Sequence, residues 1–94
     1  MIIINQQKDE IINFNNVMNV NICGKDGEYI ISAGVIIGID DNYRELGVYK
    51  TEERAKDVLK EITEKYKAYG KIENGLGSVF NVFDYPKVYY MPEE

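Results

Sequence analysis

An α+β fold is predicted, with an antiparallel β-meander of about four strands packed by one long amphipathic helix and one or two further C-terminal strands. Three observations predict it. Residues 18 to 50 alternate apolar and polar side chains between glycine- and aspartate-rich turns, residues 52 to 69 switch to helical spacing, and the chain beyond residue 78 returns to short extended runs closed by Pro86 and Pro92. Ninety-four residues make one domain, residues 1 to 94, since a chain of this length buries only about two-thirds of its unfolded surface and cannot furnish two cores.

Met1-Ile2-Ile3-Ile4-Asn5 reads as a strand. No basic region precedes the apolar run and no small-residue cleavage site follows it, so a strand is expected here and not a signal peptide. Asn5 to Glu10 is polar and turn-like, and Ile11 to Asn16 mixes apolar and amide residues. In the next strand Met18, Val20 and Ile22 share one face and Asn19 and Asn21 the other, the pattern of a sheet packed on one side and wet on the other. Gly24-Lys-Asp-Gly27 supplies glycines for the positive φ of a hairpin turn. From Glu28 to Gly38 both faces are partly apolar, which suits a central strand or one covered by a partner. Asp40, Asp41 and Asn42 are expected to turn the chain again, and Tyr43 to Lys50 to form a strand with Leu46 and Val48 pointing inward.

Thr51 opens the helix. A threonine caps well, Glu52 and Glu53 place negative charge at the positive end of the helix dipole, and Ala55, Val58, Leu59, Ile62, Tyr66 and Tyr69 form one apolar stripe. Glu52 with Lys56 and Glu61 with Lys65 are favourable i, i+4 pairs, and Gly70 stands where a residue terminating the helix is expected. Lys71 to Ser78 then reads as a loop, Val79 to Phe83 as a strand, and Lys87 to Met91 as an extended piece that its prolines confine to an edge.

Composition excludes several chemistries. Sixteen acidic against eleven basic side chains leave a formal charge of −5, which disfavours tracking along nucleic acid or an anionic membrane. The acidity is uneven: residues 1 to 47 carry seven acids and three bases, a net −4, and residues 48 to 94 carry nine and eight, a net −1. Without histidine and with Cys23 alone, the chain offers no Ser-His-Asp or Cys-His arrangement, no Cys/His zinc site and no internal disulfide. Cys23, flanked by Ile22 and Gly24 in an apolar strand, is expected to be a packing residue and suits a reducing compartment, the cytoplasm. No apolar run nears the roughly 18 residues of a membrane-spanning helix. Ile, Asn, Lys and Tyr make up 39 of 94 residues and all use A/T-rich codons, so the abundance of Asn reflects the genome.

Local motifs read as structure. Gly24-Lys-Asp-Gly27 joins two strands and not the two helices of a nucleic-acid clamp. Gly75-Leu-Gly77 leads into a strand and lacks the Lys-Ser/Thr of a phosphate loop, and Asp40-Asp41-Asn42 has no calcium-loop spacing. Nothing singles out a catalytic carboxylate pair. No catalytic residue, no metal ligand and no cofactor is therefore expected, and the chain reads as a non-enzyme.

What stands out is a C-terminal group of large rings: Phe80, Phe83, Tyr85, Tyr89 and Tyr90. Some cover the sheet of a protein without tryptophan. The remainder suit a subunit interface or a surface on which a base stacks, because aromatic side chains give contact area at low entropy cost. Together with the two-faced strand from Glu28 to Gly38, they predict a homo-oligomer.

The run Leu46-Gly-Val-Tyr-Lys-Thr-Glu-Glu-Arg-Ala-Lys-Asp-Val-Leu-Lys-Glu-Ile62, with the opening Met1-Ile-Ile-Ile-Asn5, the stretch Ile12-Asn-Phe-Asn-Asn-Val17 and the closing Tyr90-Met-Pro-Glu-Glu94, resembles a group of small uncharacterised proteins of low-GC Gram-positive bacteria and their phages and prophages. The resemblance implies a phage-borne setting, in the host cytoplasm, where small proteins without catalytic residues act by binding, inhibitors of bacterial defence among them. Two expectations follow. In the first, the protein sequesters a small nucleotide-derived immune signal, with Phe83, Tyr89 or Tyr90 stacking the base and Arg44 or Arg54 meeting the phosphates. In the second, its acidic N-terminal half blocks a basic groove of a host defence protein. A structural module with no ligand is the third reading.

Overall fold

The computed structural model describes the backbone of residues 1–37, 40–74 and 88–94, and the side chains of residues 1–35, 42–66 and 88–94. In chain order the elements are β1 (Ile2–Ile4), β2 (Ile11–Asn13), a 3₁₀ turn (Phe14–Asn16), β3 (Val17–Lys25), β4 (Glu28–Ile37), β5 (Asp40–Tyr49), α1 (Glu52–Asn74) and β6 (Val88–Tyr90). They form the predicted α+β architecture, distributed over two three-stranded sheets. The meander is β3-β4-β5, antiparallel throughout; the second sheet has the order β2-β1-β6, with β1 antiparallel to β2 and parallel to β6.

The β3–β4 turn follows from its residues. Asp26 and Gly27 both take positive φ, 53° and 80°, the combination that closes a two-residue hairpin without splaying the strands. The meander's inner face carries Val17, Val20 and Ile22 opposite Val35, Ala33 and Ile31. Simple alternation would have put Met18 there. A bulge between Val17 and Asn19 inserts Met18 as an extra residue, so Val17 points inward and Met18 is left 65 % exposed. On the far side of that parity, Cys23 joins Asn19 and Asn21 on the solvent face and is exposed, not packed.

A second bulge corrects β5 in the same way. Gly47 pairs with Ile31 and Glu45 with Ser32, which leaves Leu46 as the inserted residue. Leu46 is buried as expected, but beyond the bulge the inward position falls to Tyr49, while Val48, opposite Ile30, is half-buried on the other face. At its start β5 is longer than its composition suggests. Asp40, Asp41 and Asn42 pair with Ile37, Ile36 and Val35, so ladder hydrogen bonds outweigh their turn preference.

Thr51 caps α1 as its sequence predicts, its Oγ1 accepting from the Arg54 amide at 3.1 Å. Gly70 does not end the helix, which continues to Asn74 and reaches about 34 Å at 1.5 Å per residue. An interior glycine costs only about 1 kcal/mol relative to alanine, too little to end a helix by itself. Ala55, Val58 and Ile62 from α1 meet Ile31, Ala33, Leu46 and Tyr49 from the meander and Ile3, Ile12 and Met91 from the second sheet, so a single core fills the space between the two sheets and the helix. Phe14, on the 3₁₀ turn, tilts its ring against Tyr66 with centroids 5.4 Å apart. β1 is therefore the middle of the second sheet and not the first strand of the meander. β6 lies at its edge, as Pro86 and Pro92 require. The expected strand from Val79 to Phe83 lies outside the described residues.

Candidate functional site

α1 and β6 together build the groove in which two of the five sequence-selected residues meet. Arg54, Asp57, Glu61 and Glu64 follow one another at three- to four-residue steps along one face of α1, and Lys60 and Lys65 flank them. β6 runs alongside. Strand alternation turns Tyr89 toward α1, where it packs on the core, and leaves Tyr90 63 % exposed on the opposite side. The space between them is a shallow, solvent-open groove of about 560 Å³.

Glu61 organises this groove. One carboxylate oxygen accepts from the Tyr89 hydroxyl at 2.8 Å and the other from Arg54 Nη1 at 3.3 Å. Arg54 Nε donates to the Glu94 carbonyl at 2.9 Å, so one guanidinium ties the helix both to itself and to the C-terminal residues. The sequence pairs Glu61 with Lys65 at i, i+4; in the structure the carboxylate goes to Arg54 and Tyr89, while the Glu52–Lys56 pair forms as expected at 3.5 Å. Burial, followed by the hydrogen bond to Glu61, raises the Tyr89 phenol above its usual range and keeps it a neutral donor. Beneath it Tyr49 donates to the Pro92 carbonyl at 2.7 Å, and burial pushes its phenol up to about 12.

Arg44 stands elsewhere. It projects from β5 toward Glu10, with Nε 3.6 Å from a carboxylate oxygen, and lines a second, smaller groove of about 240 Å³ with Asn5, Asp9, Glu10 and Glu45. Phe83 lies outside the described residues. Of the expected ligand-binding residues, then, the structure brings Arg54 and Tyr89 together, sets Arg44 in a different groove, and directs Tyr90 away from both.

Sequence reasoning missed two residues that fix these surfaces. Asn5 is buried, and its Oδ1 accepts from the backbone amides of Asp9 and Glu10 at 3.0 Å each while its Nδ2 donates to the Asp9 carboxylate at 2.7 Å. The β1–β2 loop is thereby wound around one amide and holds Asp9 and Glu10 at a fixed spacing. Gln6 acts as a stapling side chain. Its Oε1 accepts from the Val48 amide at 2.8 Å, and its Nε2 donates to the carbonyls of Val48, Pro92 and Glu93 at 3.0, 3.2 and 2.9 Å. The only local signal for either was a polar pair directly after a strand, which turn chemistry also explains.

Among the described residues no three acid or thiol side chains gather where a metal ion could be held, and no helix is long and apolar enough to cross a membrane. No family model, curated protein or solved structure matches the chain.

Proposed function

We propose that this protein is a non-catalytic binding protein that sequesters a small nucleotide-like ligand in the groove between α1 and β6. The observation that carries this reading is the meeting of Arg54 and Tyr89, 35 positions apart in sequence, in one groove with Lys60 and Lys65. Three cations suit phosphate oxygens, and the Tyr89 ring gives a flat apolar wall for a base. Asp57, Glu61 and Glu64 line the same groove and suit the amino and hydroxyl donors that a nucleotide also carries. An anionic ligand engages Arg54 by displacing Glu61 from it. A bare phosphate chain, lacking donors, meets three opposing carboxylates and binds poorly.

The test is native mass spectrometry of the purified protein after exposure to a nucleotide extract from infected cells, followed by heating and analysis of what is released. An intact nucleotide recovered from a mass-shifted complex supports sequestration. A cleaved product, or no mass shift, rejects it.

A second reading, that of an inhibitor occupying a basic groove of a host defence protein, is favoured by the Asn5-wound loop, which presents Asp9 and Glu10 beside Glu45 in the acidic half of the chain. A rigid acidic loop docks without the ordering cost a mobile one incurs. It predicts capture of a single host protein that is released by salt and lost with Asp9→Asn/Glu45→Gln.

A further inference from the structure

The open edge of β3 has properties that no other strand edge among the described residues combines. Among the described residues β3 is an outer strand of the meander, paired with β4 on one side only. It runs for nine residues without proline. The opposite edge of the meander, on β5, is occupied by Gln6, whose backbone amide reaches the Leu46 carbonyl at 2.7 Å and whose side chain brackets Val48. The outer strands of the second sheet, β2 and β6, are three residues each. A long strand edge with free amides and carbonyls is a template for another strand, and proteins usually blunt it with charge, proline or a bulge. Here the bulge stands at Val17/Asn19 and leaves Asn19 to Lys25 regular.

Charge identifies the occupant. From Ile11 through Lys25 the sequence contains no acidic residue, in a chain whose net charge is −5. Two copies of so acidic a protein repel one another over most of their surfaces, and least along this stretch, whose one charge is Lys25. We propose that β3 pairs antiparallel with β3 of a second copy across a two-fold axis at Ile22, joining two three-stranded meanders into a six-stranded sheet. Seven residues, Asn19 to Lys25, then pair with themselves. On the inner face Ile22 meets its own copy and Val20 meets Gly24 of the second copy; on the solvent face Asn21 stands opposite Cys23 of the second copy, and Asn19 opposite Lys25. No like charges oppose one another. Met18, exposed at the bulge beside Tyr43 and Gly34, lies just beyond each end of the shared strand pair. The pairing makes no use of the α1–β6 groove, so it stands or falls independently of the nucleotide reading.

Sedimentation equilibrium on the whole chain at micromolar concentration is expected to give twice the 10.8 kDa chain mass. Asn19→Glu/Asn21→Glu places acids on the exposed side of the edge and should convert the dimer to monomer, with the helical circular dichroism unchanged. Register is read by Asn21→Cys: mild oxidation by dissolved oxygen should join the new thiol to Cys23 of the second copy, two thiols giving one disulfide with their electrons and protons passing to oxygen. Single-chain mass at all concentrations overturns the pairing. So does a dimer that survives the double-Glu variant, or one in which the Asn21→Cys chain cross-links no faster than the native protein with Cys23 alone.

Discussion

Between β3 and β5 each strand pairs with its neighbour in sequence, and the ladders are long; in the other sheet β1 pairs with β2 over three residues and then, in parallel, with β6, where Ile2 meets Val88. The two regions are stabilised by different means. The meander's bonds are made by backbone closing short hairpins, whereas the small sheet relies on side chains from distant positions: Gln6 to β5 and the C-terminal carbonyls, Tyr49 to Pro92, Arg54 to Glu94, Tyr89 to Glu61. Three-residue strands gain little alone. Long-range side-chain hydrogen bonds therefore do in the second sheet what strand length does in the first.

This contrast can be broken at its largest point by Tyr49→Ala, which removes a ring 2 % exposed where both sheets meet α1. The expected loss is about 3–5 kcal/mol, as for other large-to-small changes in a core, read as a lower urea midpoint. Gln6→Ala should cost about 1–3 kcal/mol, because it leaves the part-buried Val48 amide and carbonyl unpaired. Hydrogen exchange sharpens this second case: protection should fall at Val48 and Met91 while amides of the β3–β4 ladder keep theirs. Equal loss across both sheets would mean that the two are one cooperative unit.

Much of the meander and of α1 was legible because their signals are local. The Asp26-Gly27 turn, the Thr51 cap and the helical stripe from Ala55 to Ile62 each lie within a few residues of the contact they specify. The two bulges were not, since an inserted residue shifts parity without changing composition; Met18 and Val48 both look like inward residues, and Val17 and Tyr49 take those places. Long-range pairing was least legible. A parallel partnership between Ile2–Ile4 and Val88–Tyr90 leaves no periodic trace linking the two segments, and Glu61 looks like half of an i, i+4 pair until β6 brings Tyr89 beside it. Of the candidate site, the sequence supplied Arg54 and Tyr89 but could not tell that Arg44 belongs to another groove.

Smaller effects test the same division. Raising pH should weaken the hold of Tyr49 on the Pro92 carbonyl: the Tyr49 phenol titrates at about 12 when folded against about 10 when unfolded, so its contribution is complete below pH 10 and is lost as pH rises toward 12. The raised Tyr89 phenol acts in the same direction. Thermal unfolding from pH 8 to pH 12 should show the decline, and Tyr49→Phe should reduce its slope. Thr51→Ala should cost about 1 kcal/mol through the lost cap, read by chemical denaturation. Cys23→Ser, on the meander's solvent face, should change stability by less than about 0.5 kcal/mol in the same assay.

The proposed binding function rests on a distinction between two arginines, so titration calorimetry of the nucleotide recovered from the protein against Arg54→Ala and Arg44→Ala is its most direct test. Both guanidiniums contact a glutamate, Arg54 with Glu61 and Arg44 with Glu10, and only Arg54 shares a groove with Tyr89. At least tenfold weaker binding by Arg54→Ala, with Arg44→Ala indistinguishable from the native chain, is the predicted result. Weakening by Arg44→Ala alone would contradict it.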